Sequence, residues 1–443
     1  METGSGEAPA AGPRRPLVFC HRNAGPAFPF LPRAGVLPAR IPSPGGRGAV
    51  AGRLRPRPRR QGTPRESPAS THLPLLEAAA ASCGLPGAFG LGRELELAGF
   101  FELGLLDQWR LVQEQLAEHA LEAPDPLAVA RALAASEEPR VRFHAPGVLA
   151  RLLRESPLRA LAELHPLARD ADFRVAEAVQ AFGVRPQAEA LGPEVVAPLL
   201  DWARDPSPEV RRAAVEGTRA RGVWVRHLDW VRRQPALVLP LLEALRRDPA
   251  RKVANAVGNA LNDLSRDHPG LVLAVAGRWL AEQERGPWCE RIAAKGLRTL
   301  VKEGDARALA LLGFPELELE AEVEREGPEE VPPNHTLRFR LRLRSPVEAR
   351  ARLIYEVQTP GRQAGRPRRQ RHAGGTLELP AGETVELRLR ERIFDRRTAP
   401  LLDGPGRVLF FVNGREVGSA GFRIRRSLRS ATGGSGPGPG PGR

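Results

Sequence analysis

Four stretches in the middle of the chain share one pattern, and this pattern decides the fold. Each opens on an acidic residue or a proline-containing turn and continues into apolar positions that recur three and four residues apart, as on one face of a helix. The stretches are EEPRVRFHAPGVLARLL (137–153), DADFRVAEAVQAFGV (170–184), DPSPEVRRAAVEGTR (205–219) and DPARKVANAVGNALNDL (248–264). Their anchoring valines are Val141, Val175, Val210 and Val253. Spacings of 34, 35 and 43 residues leave room for two helices in each unit.

This period is typical of HEAT-like repeats, in which pairs of helices stack into a solenoid. Helical periodicity begins near residue 71, and WCERIAAKGLRTLVKEG (288–304) predicts the helix that closes the stack. Asp205-Pro206 and Asp248-Pro249 predict helix starts, with aspartate as the cap and proline in the first turn. We therefore expect a helical-repeat domain over residues 71–314.

After Gly313-Phe314 the apolar period changes from helical to two, which predicts strands. The expected strands are ELELEAEVE (316–324), TLRFRLRLR (336–344), ARLIYEV (351–357), TVELRLR (384–390) and RVLFFV (407–412). Asn413-Gly414 predicts a hairpin turn, and GRPRRQRH (365–372) predicts a cationic loop. The fold class is thus mainly α, a helical solenoid followed by a small immunoglobulin-like β-sandwich at 315–426, with a flexible tail at 427–443.

The net charge of +15 suggests a polyanionic partner, usually nucleic acid. GC-rich codon usage also produces a composition rich in arginine and poor in lysine. The net charge alone therefore does not show that the partner is a nucleic acid. By segment the charge is about +9 over 1–70, −7 over 71–204, +6 over 205–314 and +7 over 315–443. The Pro/Gly/Arg-rich residues 1–70 predict a disordered basic arm. This arm is either a phosphate-binding extension or an over-extended start of translation.

Signatures of common catalytic chemistry are missing from the sequence. It has no phosphate-binding glycine loop, dinucleotide motif or nucleophile elbow, and its histidines lack metal-ligand spacing. Three cysteines far apart favour a reducing cytoplasm over a disulfide framework or a zinc site. The sequence contains no run of about 18 apolar residues, so no membrane span is predicted. We expect no metal and no organic cofactor.

Asparagines form an unusual stripe on the helix predicted at 248–264. Asn255, Asn259 and Asn262 lie at i, i+4 and i+7, and Asp263 follows. Asparagine is a poor helix former, so the stripe costs stability and needs a reason. Two interpretations are open, namely hydrogen bonds between helices of the stack and contact with a nucleic-acid backbone.

The segment RRAAVEGTRARGVWVRHLDW (211–230) concentrates charge and one aromatic ring between two helices. Arg212 and Glu216 are four residues apart and share a helix face, where a plain surface pair would be worth a few tenths of a kcal/mol. Arg219 and Arg221 are predicted in the turn that follows. Trp224 opens the next helix, and core packing is the simpler interpretation for it.

Several motifs resemble the AlkC branch of the HEAT-like alkylpurine DNA glycosylases. They are VRRAAVEGTRARGVW (210–224), GNALNDLSRDHP (258–269) and LRTLVKEGDARALALLGF (297–314). An immunoglobulin-like domain after the helices is a feature of one AlkC subgroup. The resemblance covers about residues 140–425 and implies excision of cationic N3- or N7-alkylated purines, such as 3-methyladenine, from double-stranded DNA. It implies a monofunctional enzyme, expected as a monomer in the cytoplasm and associated with the nucleoid.

The resemblance assigns roles to single residues. Asp263 matches the catalytic aspartate, and Glu216 matches a second acidic site residue. Phe182 and Trp224 match aromatic positions at the lesion. The residues expected to contact DNA are Arg185, Arg212, Arg219, Arg221, Asn259, Arg266, Arg368, Arg369 and Arg371. A carboxylate near the anomeric carbon would stabilise oxocarbenium character, and an electron-rich ring would favour a cationic base.

One position departs from the family pattern. The family has a glutamate just before the phenylalanine of the run AVQAFGVRP (178–186), where this chain has Ala181. Gln180 and Glu177 are nearby, but we expect them on other helix faces. Two alternatives to a glycosylase therefore stay open. One is a catalytically inactive protein that binds DNA structure, and the other is a HEAT adaptor for protein partners.

Overall fold

The computed structural model describes residues 17–20, 73–222, 226–363 and 365–427. Its helices are α1 Leu73–Ser82, α2 Leu91–Leu97, α3 Leu105–Leu121, α4 Pro126–Ala135, α5 Pro139–Arg142, α6 Ala145–Leu152, α7 Pro157–Leu167, α8 Phe173–Ala178, α9 Arg185–Leu191, α10 Val196–Trp202, α11 Pro208–Gly217, α12 Asp229–Arg233, α13 Leu239–Leu245, α14 Arg251–Ser265, α15 Pro269–Ala281, α16 Cys289–Gly296, α17 Arg298–Glu303 and α18 Ala306–Leu311. In these ranges no helix is long and apolar enough to cross a membrane.

The helices stack through the repeated valines, as the periodicity predicts. Val141, Val175, Val210 and Val253 are all buried in one continuous core that runs from Leu73 to Leu309. This core has no separate centre for each repeat. Each unit buries its apolar face only against its neighbours, which is the property that defines a solenoid.

Arginine–aspartate pairs tie one repeat to the next. Arg142 Nε lies 2.7 Å from Asp170, and Arg211 Nε lies 2.5 Å from Asp248. Both guanidinium groups also reach the second carboxylate oxygen and the backbone carbonyls of the turn before their own helix. Such two-point geometry is the arrangement in which a poorly exposed ion pair stabilises a fold. The aspartates therefore join repeats.

The predicted aspartate caps are displaced by a few residues. Helix α11 begins at Pro208 with Ser207 as its cap, and α14 begins only at Arg251. Asp205 and Asp248 lie in the preceding turns, where each carboxylate accepts a backbone N–H from two residues later at 2.7 Å. The helix starts were thus placed in the right turn, but the capping role was wrong.

The strands after the helices form two packed sheets. They are β2 Glu320–Glu326, β3 Glu330–Val331, β4 Thr336–Arg344, β5 Ala349–Thr359, β6 Arg368–Leu379, β7 Thr384–Arg392, β8 Gly404–Val412 and β9 Arg415–Ile424. A short strand β1, Leu17–Cys20, pairs in parallel with β7. The sheet orders are β1-β7-β4-β2 and β3-β9-β8-β5-β6. The mainly α class with a following β-sandwich is therefore confirmed. The other residues of 1–70 and residues 428–443 lie outside the described ranges.

Two features of the sandwich test particular expectations. The predicted hairpin turn is confirmed, because β8 and β9 meet at Asn413-Gly414 with φ of 48° and 88°, the positive values that such turns require. The predicted cationic loop at 365–372 is wrong in part, since β6 already begins at Arg368. The run RRQRH pairs with residues 355–359 of β5, so these side chains lie on a strand and not in a loop.

The sandwich is fastened to the end of the helical stack by polar contacts. Asn413 Nδ2 donates to the carbonyl of Pro315 at 2.6 Å. Arg371 donates to the carbonyl of Glu303 at the end of α17, and the Arg350 guanidinium lies 5.3 Å from the centre of the Phe314 ring. These contacts fix the sheet of β5 and β6 against the last repeat.

Candidate functional site

A π-helical turn separates α8 from α9 and shapes the first part of the site. It spans Val179–Val184, directly before Arg185-Pro186. Proline has no N–H, so the regular helical bond to the Phe182 carbonyl cannot form there and the backbone widens. Helix α11 packs against this turn at Gly217, where an added Cβ would lie 2.4 Å from a methyl group of Val184. Turns of this kind occur frequently at functional sites.

Aromatic side chains gather around a cavity of about 380 Å³ beside this turn. Phe182, Phe143 and Trp109 meet edge to face, with ring centroids 4.9 to 6.2 Å apart. Ala181 and Glu177 also line the cavity. Its volume lies in the range of small-molecule pockets. Phe182 is therefore placed where it can contact a planar ligand, as its predicted role requires.

Glu177 and Arg212 form an ion pair between repeats. This pair corrects two expectations. Arg212 does not pair with Glu216 on its own helix, because it reaches back to α8 instead. Glu177 does not lie on a different face from Ala181, since residues four apart share a face and both line the aromatic cavity. One carboxylate thus stands on the wall from which the family's glutamate is missing.

Arg219 joins the two predicted catalytic carboxylates. Its Nε lies 2.8 Å from Asp263, and its Nη1 lies 2.8 Å from Glu216. All three side chains are poorly exposed, at 7% for Asp263, 10% for Arg219 and 12% for Glu216. Arg219 and Asp263 are 44 residues apart in sequence, so two successive repeats bring Asp263 and Glu216 to one point. Arg219, predicted as a DNA contact, serves here as their common partner.

Electrostatics at this point are set by burial and by Arg219. Burial raises the pKa of Asp263 above its ordinary value, although the hydrogen bond from Arg219 opposes this shift. Burial opposes ionisation of Arg219 as well, yet the charges of Glu216 and Asp263 hold the pKa of Arg219 above its ordinary value. Burial therefore disfavours the ionised form of Asp263, whereas Arg219 stays charged.

Arg185 supports the chain that follows α11. Its guanidinium is buried and donates to the backbone carbonyls of Arg219 and Arg226. Burial, together with the nearby charge of Arg219, lowers the pKa of Arg185 to about 10. Arg185 is thus engaged inside the fold, and its contact with DNA stays a prediction. Trp224, predicted to contact the lesion, lies outside the described residues.

The asparagine stripe is explained by hydrogen bonds between helices. All three side-chain oxygens accept from the α16–α17 segment. The pairs are Arg291 Nε to Asn255 (2.8 Å), Arg298 Nη1 to Asn259 (2.9 Å) and Thr299 N to Asn262 (3.1 Å). Of the two interpretations left open, interhelix hydrogen bonding is thus observed. The sequence reasoning missed Arg291, Lys295 and Arg298, although their i, i+4, i+7 spacing could have marked a face.

The remaining predicted DNA contacts fall into two groups. Arg221 is paired with Asp267 at 2.7 Å, whereas Arg266 is exposed beside it. On β6, Arg368 donates to a backbone carbonyl at 3.2 Å, and Arg369 is exposed with its Nε 3.8 Å from Glu356. Arg371 binds Glu356 at 2.6 Å as well as the last repeat, so it acts at the domain interface. Arg266 and Arg369 are the members best placed to meet a ligand from solvent.

The described residues define the class of protein by its fold and by the side chains of its candidate site. A HEAT-like solenoid holds two carboxylates clasped by an arginine. An aromatic cavity is lined by residues of the earlier helices, and an immunoglobulin-like domain follows the solenoid. No group of three or more His, Cys, Asp or Glu side chains within the described ranges is arranged to hold a metal ion.

Comparison with known proteins narrows this class. The alkylpurine DNA glycosylase AlkC of Pseudomonas fluorescens, solved with DNA containing an abasic site analog, superposes with a TM-score of 0.69 at 25% identity. The match covers 80% of this chain and 97% of that one. Residues 323–426 match the family model described as "Uncharacterised protein YhaZ, C-terminal Ig-like domain". In fold and domain order the chain is therefore similar to AlkC over most of its length, and its C-terminal part is similar to the Ig-like domain of YhaZ.

A curated relative adds a shorter match. The uncharacterized protein YhaZ of Bacillus subtilis (strain 168) is 38% identical over 133 residues. That stretch is 30% of this chain and 36% of YhaZ, so the match spans about a third of the relative. AlkD2 of Streptococcus mutans matches 43% of this chain at 22% identity with a TM-score of 0.35.

Proposed function

We propose that this protein is a monofunctional DNA glycosylase that hydrolyses the N-glycosidic bond of cationic N3- or N7-alkylated purines, such as 3-methyladenine, in double-stranded DNA. The observation that carries the proposal is the Asp263–Arg219–Glu216 cluster, which unites both predicted catalytic carboxylates in a chain with the AlkC-like fold. We place the activity in the cytoplasm, in association with the nucleoid, and expect a monomer.

The chemistry follows from the leaving group and from the position of Asp263. Alkylation at N3 or N7 makes the purine cationic and ready to depart, so the base needs little protonation. As the bond breaks, positive charge develops on the sugar ring, and a fixed carboxylate stabilises that charge. A carboxylate whose ionised form is disfavoured by burial gains most from a cation arriving beside it. Asp263 meets this description, and Arg219 holds its orientation.

The aromatic cavity supplies selectivity in this proposal. A cationic ring is attracted to the face of an aromatic side chain by about 0.5 to 2 kcal/mol, and an unmodified purine gains less. Phe182 lies in the cavity beside Glu177, whose pair with Arg212 is one helical turn of α11 from Glu216. The Glu177–Arg212 pair thus connects the cavity wall to α11, the helix that carries Glu216.

A second function, binding of distorted DNA without catalysis, is favoured by one observation. Ala181 leaves the cavity wall without the family's carboxylate, and Glu177 on the same wall is neutralised by Arg212. Hydrolysis would then depend on Asp263 and Glu216 alone. The reaction needs one well-placed carboxylate more than a pair, and we therefore prefer the glycosylase.

Release of free base from methylated DNA separates the two functions. DNA treated with a methylating agent is incubated with the wild-type chain, and released bases are resolved by chromatography. Asp263→Asn should abolish release and retain binding to a duplex with an abasic-site analogue. Asp267→Asn is the matched control, because Asp267 lies four residues away and pairs with Arg221 outside the cluster. Undiminished release by Asp263→Asn would sink the assignment of Asp263, and no release by the wild type would favour the binding protein.

A further inference from the structure

Helices α14 and α16 pack closely because each has a glycine where it crosses the other. A Cβ at Gly258 would lie 2.8 Å from the Lys295 Cβ and 3.2 Å from the carbonyl of Ile292. At Gly296 a Cβ would lie 2.9 Å from Leu261. This close approach lets side chains on both sides of the crossing reach the partner helix.

Two asparagines use that approach to hold two arginines. Asn255 accepts from Arg291, and Asn259 accepts from Arg298, at 2.8 and 2.9 Å. Arg142 and Arg211, which also reach from one repeat to the next, have carboxylate partners in Asp170 and Asp248. An amide oxygen fixes the direction of a guanidinium as an aspartate would, but it leaves the positive charge uncompensated.

Lys295 lies between the two arginines along the same helical face, at i+4 from Arg291 and i−3 from Arg298. Its ammonium group has no hydrogen bond or ion pair among the described residues. Burial and the charges of Arg298 and Arg291 lower the pKa of Lys295, and burial also lowers the pKa of both arginines. Three half-buried cations therefore share a face without acidic partners of their own, an arrangement that favours a bound anion.

This face adjoins the carboxylate cluster. The charge of Arg298 acts on Asp263, and the charge of Glu216 acts on Lys295. We propose that Arg291, Lys295 and Arg298 form a phosphate row that binds the DNA backbone beside the scissile nucleotide. Asn255 and Asn259 are its positioning residues. The identification of the anion as DNA phosphate rests on the proposed function.

The exchange of asparagine for aspartate tests the row without removing a hydrogen bond. In the double variant Asn255→Asp and Asn259→Asp, Arg291 and Arg298 should each form an ion pair with the new carboxylate. Affinity for a short duplex with an abasic-site analogue should fall at least about tenfold at low salt. The slope of log affinity against log salt should decrease by about 1.8, or about 0.9 for each phosphate contact. The unfolding temperature should stay equal or rise, because the new pairs are internal.

Two further variants complete the experiment. Gln283→Glu adds one negative charge at an exposed position of the helical domain and should leave the slope unchanged. Lys295→Gln removes the cation that has no protein partner, so it should fold normally and lower the slope by about 0.9. An unchanged slope in both the double variant and Lys295→Gln overturns the row. So does an equal loss of slope in Gln283→Glu, since this would mean a general charge effect.

Base release is measured on the same proteins to keep the two proposals apart. If the wild type releases no base but the slopes fall as expected, the glycosylase assignment fails and the phosphate row stands. If base is released and the slopes do not change, the row fails and the glycosylase stands.

Discussion

Replacement of Arg219 by glutamine is the perturbation that best tests how the carboxylate cluster is built. Arg219 makes two ion pairs at 2.8 Å, and its three-residue cluster is poorly exposed throughout. Without the guanidinium, Asp263 and Glu216 become neighbouring buried anions with no cation between them. Breaking a buried pair from one side costs about 3–5 kcal/mol. In a domain of this size, such a loss lowers the unfolding temperature by roughly 6–20 °C.

The same change should move the pH dependence of base release. In the proposed reaction Asp263 acts as an anion, and burial already raises its pKa against the opposing hydrogen bond from Arg219. Removing Arg219 raises this pKa further, so the acidic limb of the pH–rate profile should shift to higher pH. Differential scanning calorimetry and single-turnover base release from pH 4 to 8 measure the two effects.

Arg221→Gln is the matched control, since Arg221 pairs with Asp267 nearby but does not contact the cluster. An Arg219→Gln protein with wild-type unfolding temperature and an unshifted acidic limb would refute this account of the site. It would mean that water or another cation already compensates the two carboxylates.

Three other predictions follow from neighbouring features. Asp263→Asn should abolish base release and should raise or preserve the unfolding temperature at neutral pH. Because the pKa of Asp263 is raised in the folded protein, its ionised form lowers the stability of the fold. This loss of stability is relieved as the pH falls through the folded pKa. Phe182→Ala should slow excision about 2- to 30-fold through loss of the cation–π contact, with binding to an abasic-site analogue unchanged. Arg371→Met should loosen the domain interface and raise the rate of limited proteolysis between the domains, whereas Arg369→Met should not.

Each of these three expectations has a contrary result. A clear fall in the unfolding temperature of Asp263→Asn at neutral pH would show that the ionised carboxylate is stabilising. Equal slowing of cationic and neutral substrates in Phe182→Ala would remove the selective role of the ring. Identical proteolysis of the Arg371 and Arg369 variants would mean that the other interface contacts suffice.

The strands show where sequence patterns succeed and where they do not. Residues 336–344 alternate without interruption and match β4 at both ends, because one face of that strand packs on the core and the other meets solvent. The strands β6 and β9 contain Arg- and Gly-rich runs and were not predicted. Their pairing is decided by the neighbouring strands, whose backbone groups they satisfy, so local composition says little about them.

The helical site shows the same division. By itself the sequence determined the solenoid, the sandwich and the hairpin turn, because burial and turns depend on local spacing. The candidates Asp263 and Glu216 came from the resemblance of their motifs to a known family. Only the tertiary structure decided the partner of each polar group. Arg212 pairs with Glu177 in the preceding repeat, 35 residues earlier in the sequence. Arg219 pairs with Asp263 in the following repeat, 44 residues later. The spacing of residues within one helix does not predict contacts between repeats, and these contacts form the candidate site.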